Sequence, residues 1–403
     1  MRKWLQVAGA ALFVTTSYGA MSYSFAVLVT RSAAGGQFGV GAIALGFGLA
    51  ALVSGVAALA AGTIADLFGC RRLLAGGSVL GAFSLLALSF CREPWQAVLV
   101  MAVLMGPAMA ATFYEPVYVL MNRWFEPPER PRAYAILTLL SGFSVVIFTP
   151  VTRALVNAFE WDGAVRILAL ALLVVGTIVP ALFRESVPDR TGMARLSPRS
   201  FATETFGGWK YATRAFWWFS GAFFVATVAS SGYSFHLLSQ LETRGFDETA
   251  VANAIAITGI VSLPARFLLP VLSGRLSSAL LLSSCFALLG LAAWIASSAV
   301  AWWQVWLYVA VYGSVFGAIY PLRGLVTSER FGGPYFGRLI GIQALMAAFA
   351  RAIGPVVISL VGTDSASYML GFRIAGTVLV LAAVATWLAM RPPRAGPDSL
   401  ASV

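Results

Sequence analysis

The chain is short of charge. Only 11% of its 403 residues are Asp, Glu, Lys or Arg, while 59% are hydrophobic and the mean hydropathy is +0.84. A soluble domain carries about 25% charged residues, so the shortage excludes one and implies a polytopic membrane protein. Histidine is nearly missing, and His236 alone cannot build a histidine-based metal site. The three cysteines, Cys70, Cys91 and Cys285, are scattered and offer neither a metal-ligand spacing nor a disulfide framework. No nucleophile elbow, phosphate loop or Gly-rich dinucleotide loop occurs, so no enzyme, cofactor or bound metal is expected. Acids are outnumbered, 16 against 27 basic residues. In a soluble protein that excess would suggest nucleic acid. Here the basic residues sit between apolar runs, so the bilayer accounts for them and no nucleic-acid partner is expected.

Apolar runs are what the chain has in abundance. A span needs about 20 apolar residues. Twelve stretches qualify: 5–29, 42–62, 73–91, 96–121, 133–156, 164–183, 215–240, 250–272, 277–298, 302–327, 338–361 and 368–390. The first follows Met1-Arg2-Lys3-Trp4 and outruns the about 7–15 residues of a signal-peptide core, so it reads as a retained span. Connections are short except 184–214, which is polar and carries Arg184, Arg190, Arg195, Arg199, Lys210 and Arg214. This divides the chain into a six-helix bundle at 1–183, a cytoplasmic linker at 184–214, and a second six-helix bundle with a short cytoplasmic tail at 215–403. With both termini inside, the outer loops hold only Arg31, Arg92 and Arg244 among the basic residues. The positive-inside rule therefore places both termini in the cytoplasm. The expected location is the plasma membrane, a bacterial inner membrane.

The chain repeats itself weakly. A shift of 206 aligns Tyr114 with Tyr320, Phe125 with Phe331 and Arg132 with Arg338. A shift of 207 aligns Arg166 with Arg373, and one of 210 aligns Tyr23-Ser24-Phe25 with Tyr233-Ser234-Phe235. Two parallel halves of six helices follow.

Between the second and third spans lies Gly62-Thr-Ile-Ala-Asp66-Leu-Phe-Gly69-Cys70-Arg71-Arg72. With the repeat and the long central loop, this stretch resembles the helix 2–3 signature of the major facilitator superfamily. The resemblance implies an all-α membrane protein of 12 helices in two pseudo-symmetric bundles. It also implies a gate role for Gly62, Asp66, Gly69, Arg71 and Arg72, the acid bracing the cytoplasmic gate against the opposite half.

Ionisable groups inside the hydrocarbon are costly and are functional candidates by default. Glu115 is the carboxylate placed within a span, about 10 Å above the Arg123 end at about 1.5 Å per residue. It is a candidate proton carrier, or the partner of an arginine. Arg266, in Leu263-Pro264-Ala265-Arg266-Phe267, stays charged and needs Glu115, carbonyls or an anionic substrate as partner. Its position resembles the helix-8 arginine of monocarboxylate and oxalate/formate transporters, which binds the substrate carboxylate. Arg351 is mid-span in helix 11, where oxalate/formate exchangers also carry a basic residue. Arg323, near the inner end of helix 10, is expected to snorkel to the interface. Arg166 and Arg373 read as structural anchors. Tyr233 and His236 share a face of helix 7 and, with Tyr23, are expected to line the outer cavity; His236 is also a candidate for proton coupling, a role histidine as a residue type suits. Tyr114, Tyr118 and Tyr320 lie in helices 4 and 10, which line the pathway in this superfamily.

These residues point to a secondary transporter for a small, monocarboxylate-like organic anion, working by alternating access as a proton symporter or an exchanger, with the chain acting as a monomer. Efflux of an amphipathic drug-like compound is the alternative. A membrane-embedded enzyme would need a cluster of paired acids or His and Asp, and none stands out.

Overall fold

The computed structural model describes residues 2–33, 38–185, 198–362 and 364–390. Arg190, Arg195 and the tail from Arg391 onward lie outside the described residues. Among the described residues the regular structure is helical throughout. Ten stretches are long and apolar enough to cross a membrane. One of them, Arg130–Leu182, is two rods: Glu160, at φ 60° and ψ −175°, leaves the helix and divides it. The helix Arg214–Glu242 completes a set of twelve.

We label these rods in chain order. α1 runs from Arg2 to Ala33, and α2 is Gly39–Phe68. α3 is Cys70–Leu88, and α4 runs from Pro94 to Trp124. α5 and α6 are the parts of Arg130–Leu182 before and after Glu160. α7 is Arg214–Glu242, α8 Glu248–Leu272 and α9 Ser278–Ser297. α10 runs from Trp302 to Phe331, α11 is Phe336–Ser359 and α12 is Ser365–Ala389. The α12 start shows why a rod begins where it does. Asp364 accepts from the amides of Ala366 and Ser367, and the Ser367 hydroxyl and those amides hold its carboxyl below the usual range.

α7–α12 share one apolar core, built around Phe219, Tyr233, Leu289 and Phe372. α1–α6 pack on two. One of these, around Val14, Leu74 and Leu120, continues into Leu325, Phe336 and Ile340 of α10 and α11. The two bundles are thus fused where the α2–α3 turn lies, which we call the basic end. α2 and α11 touch there backbone to backbone. A Cβ on Gly62 would sit 2.1 Å from the Gly337 carbonyl oxygen, and one on Gly341 2.4 Å from that of Ala58. Small residues permit such approach in lipid, where dispersion rather than water exclusion holds helices together.

Departures from regular α geometry in α1, α4 and α10 position the site. α1 contains a π turn at Gly19–Tyr23. α4 contains a second at Met101–Met105, then breaks at Phe113, which is extended at φ −81° and ψ −159°. Pro116 lacks the N–H that the Thr112 carbonyl would accept, so the chain cannot continue as one helix. α10 is interrupted more mildly after Phe316, at Gly317 and Ala318, which keep near-helical dihedrals, with Pro321 four residues beyond Gly317.

Candidate substrate cavity and gate

A cavity of about 390 Å³ lies between the bundles. It takes its walls from the breaks in α4 and α10, from the π turn in α1, and from α2, α8 and α11. Discontinuous helices at mid-depth bring backbone and polar side chains to a central site.

The wall from α4 presents Tyr114, Glu115 and Tyr118. The Tyr114 hydroxyl is 2.6 Å from Ser141 Oγ. Tyr118 is fully buried, stacks on Tyr134 at 4.8 Å, and its hydroxyl has no hydrogen-bond partner. Glu115 lies in the first turn of the second α4 segment. Its carboxylate accepts from Arg323 Nη2 at 2.8 Å. This corrects two expectations. Glu115 pairs with Arg323, not with Arg266, and Arg323 does not snorkel: it is 1% exposed. The physical reason is the partner across the cavity: Arg323 faces Glu115 and lies against Phe223 and Tyr320, inside the protein. Its Nε and Nη1 remain without partners.

Arg266 reaches the cavity from α8 between two glycines. A Cβ on Gly317 would meet Arg266 Cγ at 2.9 Å, and one on Gly142 would meet Cδ at 3.2 Å. Its Nε is buried with no hydrogen-bond partner. Arg351, from α11, donates to the Tyr320 hydroxyl at 3.1 Å and lies over that ring. Three guanidiniums and one carboxylate therefore surround a single space. A second cavity of about 260 Å³ shares Tyr23, Arg266 and Phe316 with the first.

Tyr23 lines the cavity, but Tyr233 and His236 do not join it. Tyr233 is fully buried within α7–α12, near Tyr312 and Phe372, its hydroxyl 3.4 Å from the Leu289 carbonyl. His236 Nε2 lies 2.9 Å from the Pro355 carbonyl and the ring packs near Tyr368. The repeat misleads here because α1 carries the π turn and α7 is regular, so equivalent residues point in different directions. The same turn adds a residue that sequence reasoning missed. Tyr18 and Tyr23, five apart, fall about one π turn apart on one face, rings 6.1 Å apart, and Tyr18 stacks on Phe113 at 3.8 Å.

At the basic end, Asp66 is 3% exposed and reaches across to α11, accepting from the Gly337 and Arg338 amides at 2.9 Å each. It caps the first turn of a helix in the opposite bundle. Gly69 takes φ 88°, a conformation few other residues adopt, and so lets α3 start at once. Glu185 accepts from the Cys70 and Arg71 amides and pairs with Arg123. The Arg71 and Arg72 side chains are exposed. The bundles are further tied by Asn122 and Arg130 on Ser328. Arg338, also buried, lies 3.0 Å from Glu204 of the helix Pro198–Phe206 and flanks the rings of Tyr211 and Tyr335. Arg166 donates to Ser89 Oγ and lies over Phe90; in Arg373 it is the backbone carbonyl that accepts, from Trp294.

Two six-helix bundles, interrupted α4 and α10, and a central cavity between them are the frame of a polytopic membrane transporter. The chain belongs to the Major Facilitator Superfamily, whose family model matches residues 7–355. It is 25% identical to monocarboxylate transporter 4 of Gallus gallus over 332 residues, 79% of this chain and 68% of that protein. Over 299 residues it is 26% identical to monocarboxylate transporter 4 of Rattus norvegicus, covering 72% of this chain and 62% of that protein. The fold is similar to that of the human organic anion transporter MFSD10, with a TM-score of 0.75 at 12% identity over 95% of this chain and 98% of that one.

Proposed function

We propose that this transporter moves a small organic anion, the carboxylate docking on Arg266. The observation that carries the reading is the Arg266 guanidinium, whose buried Nε has no partner beside a cavity that two other arginines face. A buried, unpaired donor of fixed charge is costly to leave unmade, and a carboxylate matches its fork. The relatives named as monocarboxylate transporters support this class of cargo.

In this reading Glu115 is the proton carrier. Protonation neutralises it and releases Arg323, so one proton and one anion enter together; without a proton gradient the same site supports exchange. The bundles at 1–183 and 215–403 rock about the cavity, linked by 184–214, within a monomer. The Asp66 cap on α11 holds the basic end shut. Positive-inside orientation puts that end and both termini in the cytoplasm, so the cavity faces outward here. The plasma membrane, bacterial inner membrane included, is the proposed location.

The test is a thermal-shift screen of the purified protein with small carboxylates, comparing wild type with Arg266→Gln. A ligand bound only by the folded state stabilises it by RT ln(1 + [L]/Kd). A carboxylate shift that vanishes in Arg266→Gln is the expected result. A shift with lipophilic cations and none with any carboxylate would overturn it in favour of efflux of amphipathic compounds.

A further inference from the structure

The cavity divides its chemistry between its walls. The arginines come from α8, α10 and α11. The facing wall, from α1 and α4, is a run of rings. Phe113 stacks on Tyr18 at 3.8 Å, Tyr18 lies 5.0 Å from Tyr114, and Tyr114 stacks on Tyr118 at 5.6 Å. Tyr118, fully buried, keeps a hydroxyl without a partner at this wall. The space between is about 390 Å³, within the roughly 300–1,000 Å³ of sites that take drug-sized ligands. A two- or three-carbon carboxylate on Arg266 would leave the ring wall facing water.

Resting on the reading that an organic anion is carried, we propose that the cargo is an aryl carboxylate. Its carboxylate sits on Arg266 and its ring lies along Tyr18 and Tyr114. The geometry suits this in two respects. Aromatic pairs favour offset or edge-on contact at centroid separations of about 4.5–7 Å, and the Tyr18 and Tyr114 rings are set at 45° to each other, offering both a face and an edge. The three arginines come from the second bundle and the Tyr18–Tyr114 rings from the first, so an amphipathic anion bridges the two halves. A short aliphatic anion satisfies only one of them.

The experiment is a binding series on the wild-type full chain in detergent, read by thermal shift or calorimetry. The probes are acetate, lactate, phenylacetate and its neutral amide, phenylacetamide. Ring burial and ring–ring contact predict phenylacetate binding at least about ten-fold tighter than lactate, with phenylacetamide weak. Tyr18→Leu, which keeps an apolar side chain, should bring the phenylacetate-to-lactate ratio close to one. Lactate binding as tightly as phenylacetate overturns the aryl inference and leaves the anion reading standing. Phenylacetamide matching phenylacetate, or no carboxylate binding at all, overturns both. Should Tyr18→Leu fail to fold, the wild-type series alone decides the matter.

Discussion

Tyr114 in α4 and Tyr320 in α10 occupy repeat-related places, and both line the cavity. Their neighbours do not match. Beside Tyr114 stands Glu115; three residues beyond Tyr320 stands Arg323, and Arg266 and Arg351 are added from the same half. The first bundle thus brings one carboxylate and a run of rings, the second three guanidiniums beside Phe316 and Tyr320. Both halves interrupt this helix in its middle, α4 beside Pro116 and α10 beside Pro321. The duplicated frame leaves each half free to specialise in what it presents there. The one ion pair across this centre, Glu115 with Arg323, is where the two specialisations meet.

The sharpest way to break the comparison is to remove one side of that pair. Arg323→Gln leaves Glu115 half-buried and uncompensated, and removal of one partner of a buried pair costs about 3–5 kcal/mol. The melting temperature in detergent should fall sharply, and Glu115→Gln on top should restore part of it. If the two single losses simply add in the double variant, the residues do not act as a pair.

Arg266 belongs to the same positive wall but has no protein partner to lose. Arg266→Gln should therefore weaken carboxylate binding by about 30-fold or more, on the scale of about 2 kcal/mol for a buried charge-assisted contact, with the melting temperature unchanged or raised. A large fall in stability with binding intact would show that Arg266 serves the fold.

How much of this was legible depends on the kind of signal. Glu115, Arg266 and Arg351 announce themselves as ionisable side chains in apolar runs, and Asp66 by its turn. The twelve rods follow from run length alone. Arg323 was misjudged because 302–327 reads as one unbroken helix, in which that arginine lies near an end. Its partner Glu115 lies 208 residues away in the other bundle, and no local pattern shows that the two meet. Tyr18 was missed, and Tyr233 and His236 wrongly placed, for one reason. A π turn adds a residue within α1 and none within α7, and periodicity arguments assume 3.6 residues per turn in both.

A smaller effect tests the contact between the bundles at the basic end. Gly62→Ala places a Cβ 2.1 Å from the Gly337 carbonyl oxygen, a backbone atom that cannot swing away. Separating α2 from α11 should cost about 1–3 kcal/mol, the usual range for overpacking, and raise the reactivity of a cysteine introduced near this seam toward a water-soluble maleimide. Unchanged labelling and melting would mean that the seam gives easily.

The smallest effect bears on an asymmetry between the bundles. Arg338 at the start of α11 and Arg132 at the start of α5 are repeat-related, yet only the first is buried and has its amide held by an acid from the other half. Asp66→Asn keeps an oxygen that accepts one of the two amide bonds and loses the charge that favours a helix start. Caps of this kind contribute about 1 kcal/mol. That is enough to change a two-state ratio about five-fold, not enough to unfold the chain. Spin-label distances between α2 and α11 should therefore lengthen for a larger share of molecules, with the melting temperature nearly unchanged and turnover reduced. The direction matters more than the size. If Asp66 latched the far end instead, the same substitution would shorten those distances, and unaltered turnover with unaltered distances would leave the acid as a local helix cap with no part in gating.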